Sequence, residues 1–213
     1  MQINQLWNKD SPALYNRLQD HVSFQHLLEG HQRFLSNRRF FPKQAVHDLK
    51  LVKERQTPHT AIFTCSDSRV ISEVIFDQGI GDLFVVRNAG NILSQQVYGS
   101  IEFAVSELRV SLVIVMGHSN CGAATSAQNS ERVFPDGSYL PSIVQAYRRP
   151  FEIAQSRYKR DVCDQAVKLH VRDVVEEMRN TEVLKRTGNT AKPVEIIGAF
   201  FSYRTHRVHL LHW

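Results

Sequence analysis

The sequence lacks a long hydrophobic run and a strong excess of one charge. Its longest apolar run, Leu112 to Met116, has the length of a β-strand and is too short to cross a bilayer, so we predict no membrane span. Lys and Arg number 26 against 21 Asp and Glu, and they are scattered along the chain. Because an electrostatic footprint for DNA or RNA needs clustered positive charge, we expect no nucleic-acid partner. Residues 1–18 also lack the basic start and apolar centre of a secretory signal.

Cysteine is scarce, with three residues at positions 65, 121 and 163. An odd number in a chain long enough to bury its own core argues against a disulfide framework. It favours a reducing compartment, which we predict to be the cytoplasm, and thiols that bind metal or act in catalysis. Cys163 lies in a helical stretch without a metal-binding neighbour and is interpreted as a packing residue. No G-x-G-x-x-G motif follows the first predicted strand, so a generic dinucleotide-binding domain is poorly supported.

From residue 60 onward, short apolar runs alternate with amphipathic stretches. Strands are predicted over residues 60–64, 82–86, 112–116, 194–198 and 207–211. Helices are predicted over residues 94–108, 121–128 and about 163–186. This alternation predicts an α/β fold in which helices flank a central, mainly parallel β-sheet.

Apolar residues at helical intervals over residues 12–40 predict an N-terminal helical arm. We therefore predict a single domain over residues 1–213, with the arm in residues 1–45 and the α/β core in residues 58–213.

Three predicted strands end in residues that can do chemistry. Cys65 follows the first strand, Arg87 and Asn88 follow the second, and His118 follows the third. Because the carboxyl ends of parallel strands meet at one edge of a sheet, we expect these residues to lie close together.

Cys65, His118 and Cys121 form a candidate metal site. Two thiolates and an imidazole suit tetrahedral Zn²⁺, and three protein ligands leave the fourth position open, as in catalytic zinc sites. The pair His118 and Cys121, two residues apart, is weak support by itself, since buried cysteines often serve as small apolar residues. The residues alone leave both metal binding and packing open.

The segment Cys65-Ser-Asp-Ser-Arg69 and the later segment His118-Ser-Asn-Cys121-Gly122 resemble the two signatures of the β-class carbonic anhydrases. Residues 84–91 and 99–105 also resemble this family, and the likeness runs from about residue 24 to the last predicted strands. It is closer to the plant-type branch than to the bicarbonate-regulated branch.

This resemblance implies that Cys65, His118 and Cys121 hold one zinc ion per chain. The implied reaction is the reversible hydration of carbon dioxide to bicarbonate and a proton, by attack of a zinc-bound hydroxide. Asp67 and Arg69 would form a carboxylate–guanidinium dyad that orients this hydroxide. Family members are homo-oligomers, so we expect a homodimer or tetramer, and an apolar helical arm that needs a surface to bury it is consistent with this.

The resemblance also implies a substrate pocket of Gln56, Phe84, Ala89 and Phe103. Gln56 lies nine residues before Cys65, where many plant-type members carry a glutamine that faces the metal's ligand. Phe84 and Ala89 match positions that line the apolar pocket for carbon dioxide. Phe103 stands where plant-type enzymes usually have tyrosine, so one polar contact of the pocket is missing.

Two other functions compete with this one. The same zinc chemistry would hydrolyse carbon disulfide or carbonyl sulfide, and a zinc-bound scaffold or a sensor of carbon dioxide or bicarbonate would need no turnover. The presence of both Asp67 and Arg69 favours the enzyme. His170 stands where the resemblance leads us to expect asparagine, and we interpret it as a structural replacement.

Overall fold

The computed structural model describes residues 11–128, 133–185 and 194–213, and within them five strands form one sheet. The strands are β1 (Thr60–Cys65), β2 (Leu83–Asn88), β3 (Leu112–His118), β4 (Glu195–Ser202) and β5 (Arg207–Leu211). Their order is β2-β1-β3-β4-β5; the first four are parallel, and β5 runs antiparallel to β4. The predicted α/β fold with a mainly parallel sheet is confirmed.

Helices lie on both faces of this sheet. They are α1 (Pro12–Leu18), α2 (Val22–Leu35), α3 (Leu49–Val52), α4 (Ser72–Ile75), α5 (Gln95–Ser106), α6 (Gly122–Ser126), α7 (Leu140–Arg157), α8 (Val162–Asn180) and α9 (Glu182–Lys185). Two 3₁₀ turns span Val46–Asp48 and Ala89–Asn91. None of the helices in the described residues is long and apolar enough to cross a membrane.

The central strands β1 and β3 are buried along their whole length. Their side chains alternate between two apolar clusters, as the two-residue period of a strand requires: Phe63 belongs to one cluster and Ile62 to the other. The first cluster contains residues of α5, α7 and α8, and the second contains residues of α1, α2 and α4. Burial on both faces explains why these strands are almost continuously apolar in sequence.

The predicted N-terminal arm lies on the sheet of its own chain. Leu14 and Leu18 of α1 and Leu27 and Leu28 of α2 are buried in the second cluster. The apolar face of these helices therefore needs no neighbouring subunit to bury it, and it gives no support for self-association. Residues 1–10 of the arm lie outside the described residues.

Helix α7 is not predicted by the sequence analysis. Pro141 stands at its start, where proline is tolerated, but Pro150 lies inside the helix and interrupts the sequence signal. Helix α8 ends at Asn180, earlier than predicted, because Thr181 adopts an extended conformation before α9 begins. The predicted end near residue 186 lies outside the described residues.

A buried histidine ties the N-terminal helices to the edge of the sheet. His31 of α2 is fully buried, and its Nδ1 lies 3.0 Å from the carbonyl oxygen of Ile75 at the end of α4. Its Nε2 accepts a hydrogen bond of 3.1 Å from the backbone N–H of Val208 in β5. These two bonds require the neutral ring with its proton on Nδ1. Burial lowers the pKa of His31 to about 4 from the ordinary 6.5.

We expect the free energy of unfolding to fall as the pH decreases from 6.5 to about 4. In this window the unfolded chain takes up a proton at His31 that the folded chain resists, which costs on the order of 3 kcal/mol. Urea unfolding at a series of pH values, for the wild type and for His31→Gln, measures the contribution, because the variant should lose this part of the pH dependence. His47→Gln at an exposed position is the control and should keep it. Equal pH dependence in the wild type and His31→Gln would contradict the assignment.

Candidate metal and active site

Three of the predicted site residues meet where β1 and β3 end. Cys65 is the last residue of β1 and His118 the last of β3, and the two strands are parallel neighbours. Cys121 follows His118 by one short turn. All three side chains are buried, and their ligand atoms lie within 4.8 Å of one another. The sheet therefore brings together two thiols and an imidazole in an arrangement that could hold a metal ion.

The turn between His118 and Cys121 is held at each residue. Ser119 Oγ accepts a hydrogen bond of 2.8 Å from the backbone N–H of Tyr203. Asn120 is left-handed (φ 53°), and its backbone N–H donates to Asp164 Oδ1 of α8 at 3.1 Å. Cys121 then caps the N-terminus of α6 with extended backbone angles. These contacts leave the Cys121 thiol little freedom to move away from His118.

The hydrogen bonding of His118 fits a metal ligand. Its Nδ1 donates to the carbonyl oxygen of Ser119 at 2.9 Å, which leaves a lone pair on Nε2. This Nε2 is buried and has no hydrogen-bond partner among the described residues. Since a buried nitrogen without a partner is costly, and metal-binding histidines usually donate their other ring N–H in this way, the geometry favours a cation at Nε2.

The two thiols influence each other's ionisation. A hydrogen bond with Cys121 is the main cause that lowers the pKa of Cys65, and the backbone N–H of Gly90, 3.3 Å from Cys65 Sγ, lowers it further. The pKa of Cys121 is raised, first by the same hydrogen bond and then by burial. A bound cation would stabilise both thiolates, so metal binding at this site should release protons.

Asp67 and Arg69 form a two-point ion pair beside this cluster. Asp67 Oδ1 accepts from Arg69 Nε at 2.9 Å, and Oδ2 accepts from Arg69 Nη2 at 2.7 Å. The backbone N–H of Arg69 adds a third bond to Oδ1 at 3.0 Å. Hydrogen bonds from Arg69 hold the pKa of Asp67 well below its usual range. Asp67 Oδ2 lies 3.9 Å from His118 Nε2, so the carboxylate borders the metal cluster.

Tyr203 is a site residue that the sequence analysis misses. Its hydroxyl lies 3.3 Å from Asp67 Oδ1, and the Arg69 guanidinium lies over its ring, 4.5 Å from the centroid. Tyr203 directly follows β4, and β4 is the parallel neighbour of β3. Its position directly after a parallel strand is the sequence signal that could have identified it, because functional residues gather at the carboxyl ends of such strands.

Arg87 supports the same segment from β2. Its Nε donates to the carbonyl oxygen of Cys65 at 3.1 Å, and its Nη2 donates to that of Asp67 at 2.7 Å. The expected meeting of strand ends is therefore seen for β2 as well, with Arg87 holding the backbone between a thiol and a carboxylate.

Phe84 and Phe103, two of the four residues predicted for a substrate pocket, lie near each other. The rings of Phe84 and Phe103 lie 6.2 Å apart, and Phe103 is 45% exposed. Ala89 lines an apolar cavity of about 210 Å³, together with residues of α6 and α7. Gln56 is exposed in the segment that precedes β1.

Comparison with known proteins gives one consistent family. The carbonic anhydrase family model matches residues 60–208. A carbonic anhydrase of Mycolicibacterium smegmatis is 33% identical over 186 residues, which are 86% of this chain and 89% of that protein. Carbonic anhydrase 2 of Mycobacterium tuberculosis is 45% identical over 121 residues, which are 56% of this chain and 58% of that protein. A structure from a study of two tetrameric β-carbonic anhydrases of Sordaria macrospora has a TM-score of 0.66 at 25% identity, and the match covers 93% of this chain and 98% of that one.

We expect Cys65→Ala and Cys121→Ala to bind a divalent metal more than about 100-fold more weakly than the wild type. This loss is greater than the one expected when a residue that only hydrogen-bonds to a metal ligand is removed. Each change removes one of three protein ligands. Metal content by mass spectrometry, with circular dichroism to verify folding, measures the effect. Cys163→Ala is the matched control, since Cys163 lies in α8 outside the cluster. Full metal content in a folded Cys65→Ala or Cys121→Ala would contradict the site.

Proposed function

The chain belongs to the carbonic anhydrase family, in its β class, and we propose that it catalyses the reversible hydration of carbon dioxide to bicarbonate and a proton, with one zinc ion per chain. The observation that carries this proposal is the buried cluster of Cys65, His118 and Cys121 beside the Asp67–Arg69 ion pair. In this cluster His118 Nε2 has no hydrogen-bond partner in the part of the chain that the structure describes.

Cys65, His118 and Cys121 would hold the zinc. Soft thiolates with an imidazole match this metal, and three protein ligands leave a fourth position for water. When bound, zinc supplies a Lewis acid that lowers the pKa of water, so that hydroxide is available to attack carbon dioxide near neutral pH. Two thiolates place more negative charge on the metal than imidazoles would, and we therefore expect activity to rise on the alkaline side of neutrality.

Asp67 and Arg69 would orient the attacking hydroxide. Arg69 holds Asp67 at two points, which would keep the carboxylate from binding a metal ion held by the cluster. Oδ1 already accepts bonds from Arg69 and Tyr203, whereas Oδ2 accepts one bond from Arg69 among the described residues and faces His118. Oδ2 is therefore the oxygen with capacity to accept a hydrogen bond from the hydroxide and direct its lone pair at the carbon atom.

The ionised state of Asp67 suits this role. The bonds from Arg69 keep its pKa well below the usual range, so the group is a charged acceptor across the physiological range of pH. Protonation would turn it into a donor and would weaken its pair with Arg69. Asp67 can therefore accept a hydrogen bond from the hydroxide without taking up its proton.

Carbon dioxide is nonpolar and is best received by an apolar surface. The cavity of about 210 Å³ meets this need, because Ala89, Gly122 and Ala123 line it close to Cys121. A larger cavity of about 510 Å³ beside Asn120 is lined by charged side chains, among them Asp164 and Lys168. Its size is greater, but its chemistry suits water and ions, so we assign carbon dioxide to the smaller one. Gln56, Phe84 and Phe103 stay predicted pocket residues.

We also propose that the chain is one domain that self-associates as a homodimer or tetramer in the cytoplasm. The N-terminal helices and the core share one buried cluster, which supports a single domain. The Sordaria macrospora proteins are described as tetrameric, and β2 is an edge strand whose side chains are mostly half-buried, which leaves a surface for a second copy. Free thiols as ligands suit a reducing compartment.

Carbon dioxide hydration by stopped flow, with zinc measured on the same sample, tests the proposal. We expect about one zinc per chain and activity that rises from slightly acidic to alkaline pH, because the reaction needs a deprotonated water molecule. Full zinc occupancy without turnover at any pH would refute the enzyme and would leave the scaffold or sensor.

Asp67→Asn should lower kcat/KM about 100-fold at unchanged zinc content, because misplacing the nucleophile is costly while the metal ligands remain. Tyr203→Phe should lower it only a few-fold, since Arg69 still holds Oδ1. Asp20→Asn at an exposed position of the N-terminal segment is the control. If Asp67→Asn keeps wild-type kcat/KM, Asp67 does not orient the hydroxide.

A further inference from the structure

A layer of buried hydrogen bonds borders Cys65 of the metal cluster. It begins at the 3₁₀ turn Ala89–Asn91, where the Gly90 N–H donates to Cys65 Sγ at 3.3 Å. Gly90 is left-handed (φ 75°), and a Cβ atom there would lie 2.8 Å from Cβ of Ala123 and 3.0 Å from the ring of Tyr147. The turn can reach the sulfur in this way only with glycine at this position.

Tyr147 of α7 holds the other side of Gly90. The side chain is fully buried, and its hydroxyl donates to the carbonyl oxygen of Gly90 at 3.1 Å. The same hydroxyl lies 3.5 Å from Oδ1 of Asn91. Both backbone polar groups of Gly90 are therefore hydrogen-bonded. Its N–H donates to Cys65, a predicted metal ligand, and its carbonyl oxygen accepts from Tyr147.

His170 of α8 holds the next residue of the turn. Its Nε2 lies 3.2 Å from the carbonyl oxygen of Asn91, and because a carbonyl only accepts, Nε2 is the donor. The His170 ring is 6% exposed and packs against the ring of Tyr147, with 4.4 Å between centroids. Two helices thus supply two donors to two successive carbonyls of one turn.

We propose that Tyr147 and His170 are positioning residues of the metal site, which hold the turn so that the Gly90 N–H donates to the Cys65 sulfur. A hydrogen bond to a thiolate withdraws negative charge from it and fixes its position, so the Cys65 sulfur would be placed to hold zinc and would leave it a stronger Lewis acid. The inference rests on the proposed zinc function. It assigns His170 a role beyond replacing a structural asparagine.

Tyr147→Phe tests this directly, because it removes the hydroxyl and keeps the ring that packs on His170. We expect zinc affinity, measured by competition with a chelator, to fall about 10-fold. The sulfur-to-metal charge-transfer band of the cobalt(II)-substituted protein should shift, because the Cys65 sulfur loses its donor. Tyr158→Phe just beyond α7, where the side chain is 40% exposed, is the matched control and should leave both values unchanged.

His170→Gln and His170→Leu give an independent second comparison. Glutamine can still donate to the Asn91 carbonyl and should keep near wild-type affinity and cobalt spectrum, whereas leucine cannot and should lower the affinity. A purely structural role would lower the stability of these variants without moving the cobalt band. Wild-type affinity and spectrum in Tyr147→Phe and His170→Leu would overturn the inference, and if Tyr147→Phe does not fold, the His170 pair decides. A wild type that binds about one zinc per chain supports the proposed metal site, whatever the variants show. A wild type that binds no zinc would refute both the metal site and the positioning role of Tyr147 and His170.

Discussion

Two buried thiols within 4.8 Å of each other cannot both carry a negative charge unless positive charge or hydrogen-bond donors surround them. The features of this site follow from that constraint. His118 turns an unprotonated nitrogen toward the thiols, Gly90 turns an N–H toward Cys65, and Cys121 lies at the start of a helix. The Gly90 N–H lowers the cost of negative charge on Cys65, whereas the lone pair on His118 Nε2 does not, so a bound cation would balance the charge of the cluster.

The parallel sheet makes these positions available together. Cys65, Arg87, His118 and Tyr203 lie at or next to the ends of four adjacent parallel strands, although the first and the last are 138 positions apart in the sequence. Since β1 and β3 are buried along their whole length, packing holds the strand ends that carry Cys65 and His118. The turn from His118 to Cys121 adds the third ligand, and bonds to Tyr203 and Asp164 hold this turn in place.

The sequence predicts those parts of the molecule whose signal is local. Strand ends and the short motifs around Cys65 and His118 are local, and the structure brings these residues together as expected. Helix α7 was missed because Pro150 interrupts its pattern, and Tyr147 was missed with it. The burial of the N-terminal helices on their own sheet could not be foreseen either, since an amphipathic pattern shows that a face is buried and not which surface covers it.

The division between local and distant signals has a chemical consequence. In the function that we propose, the motif residues Cys65, Asp67, Arg69, His118 and Cys121 determine which reaction the site supports. The strength with which the site holds a metal also depends on Tyr147 and His170, which come from α7 and α8 and lie outside these motifs. Two chains with identical motifs can therefore differ in metal affinity through the helix layer behind the sheet. Packing in the first apolar cluster, which includes Tyr147, is then part of the chemistry of the site and not only of its stability.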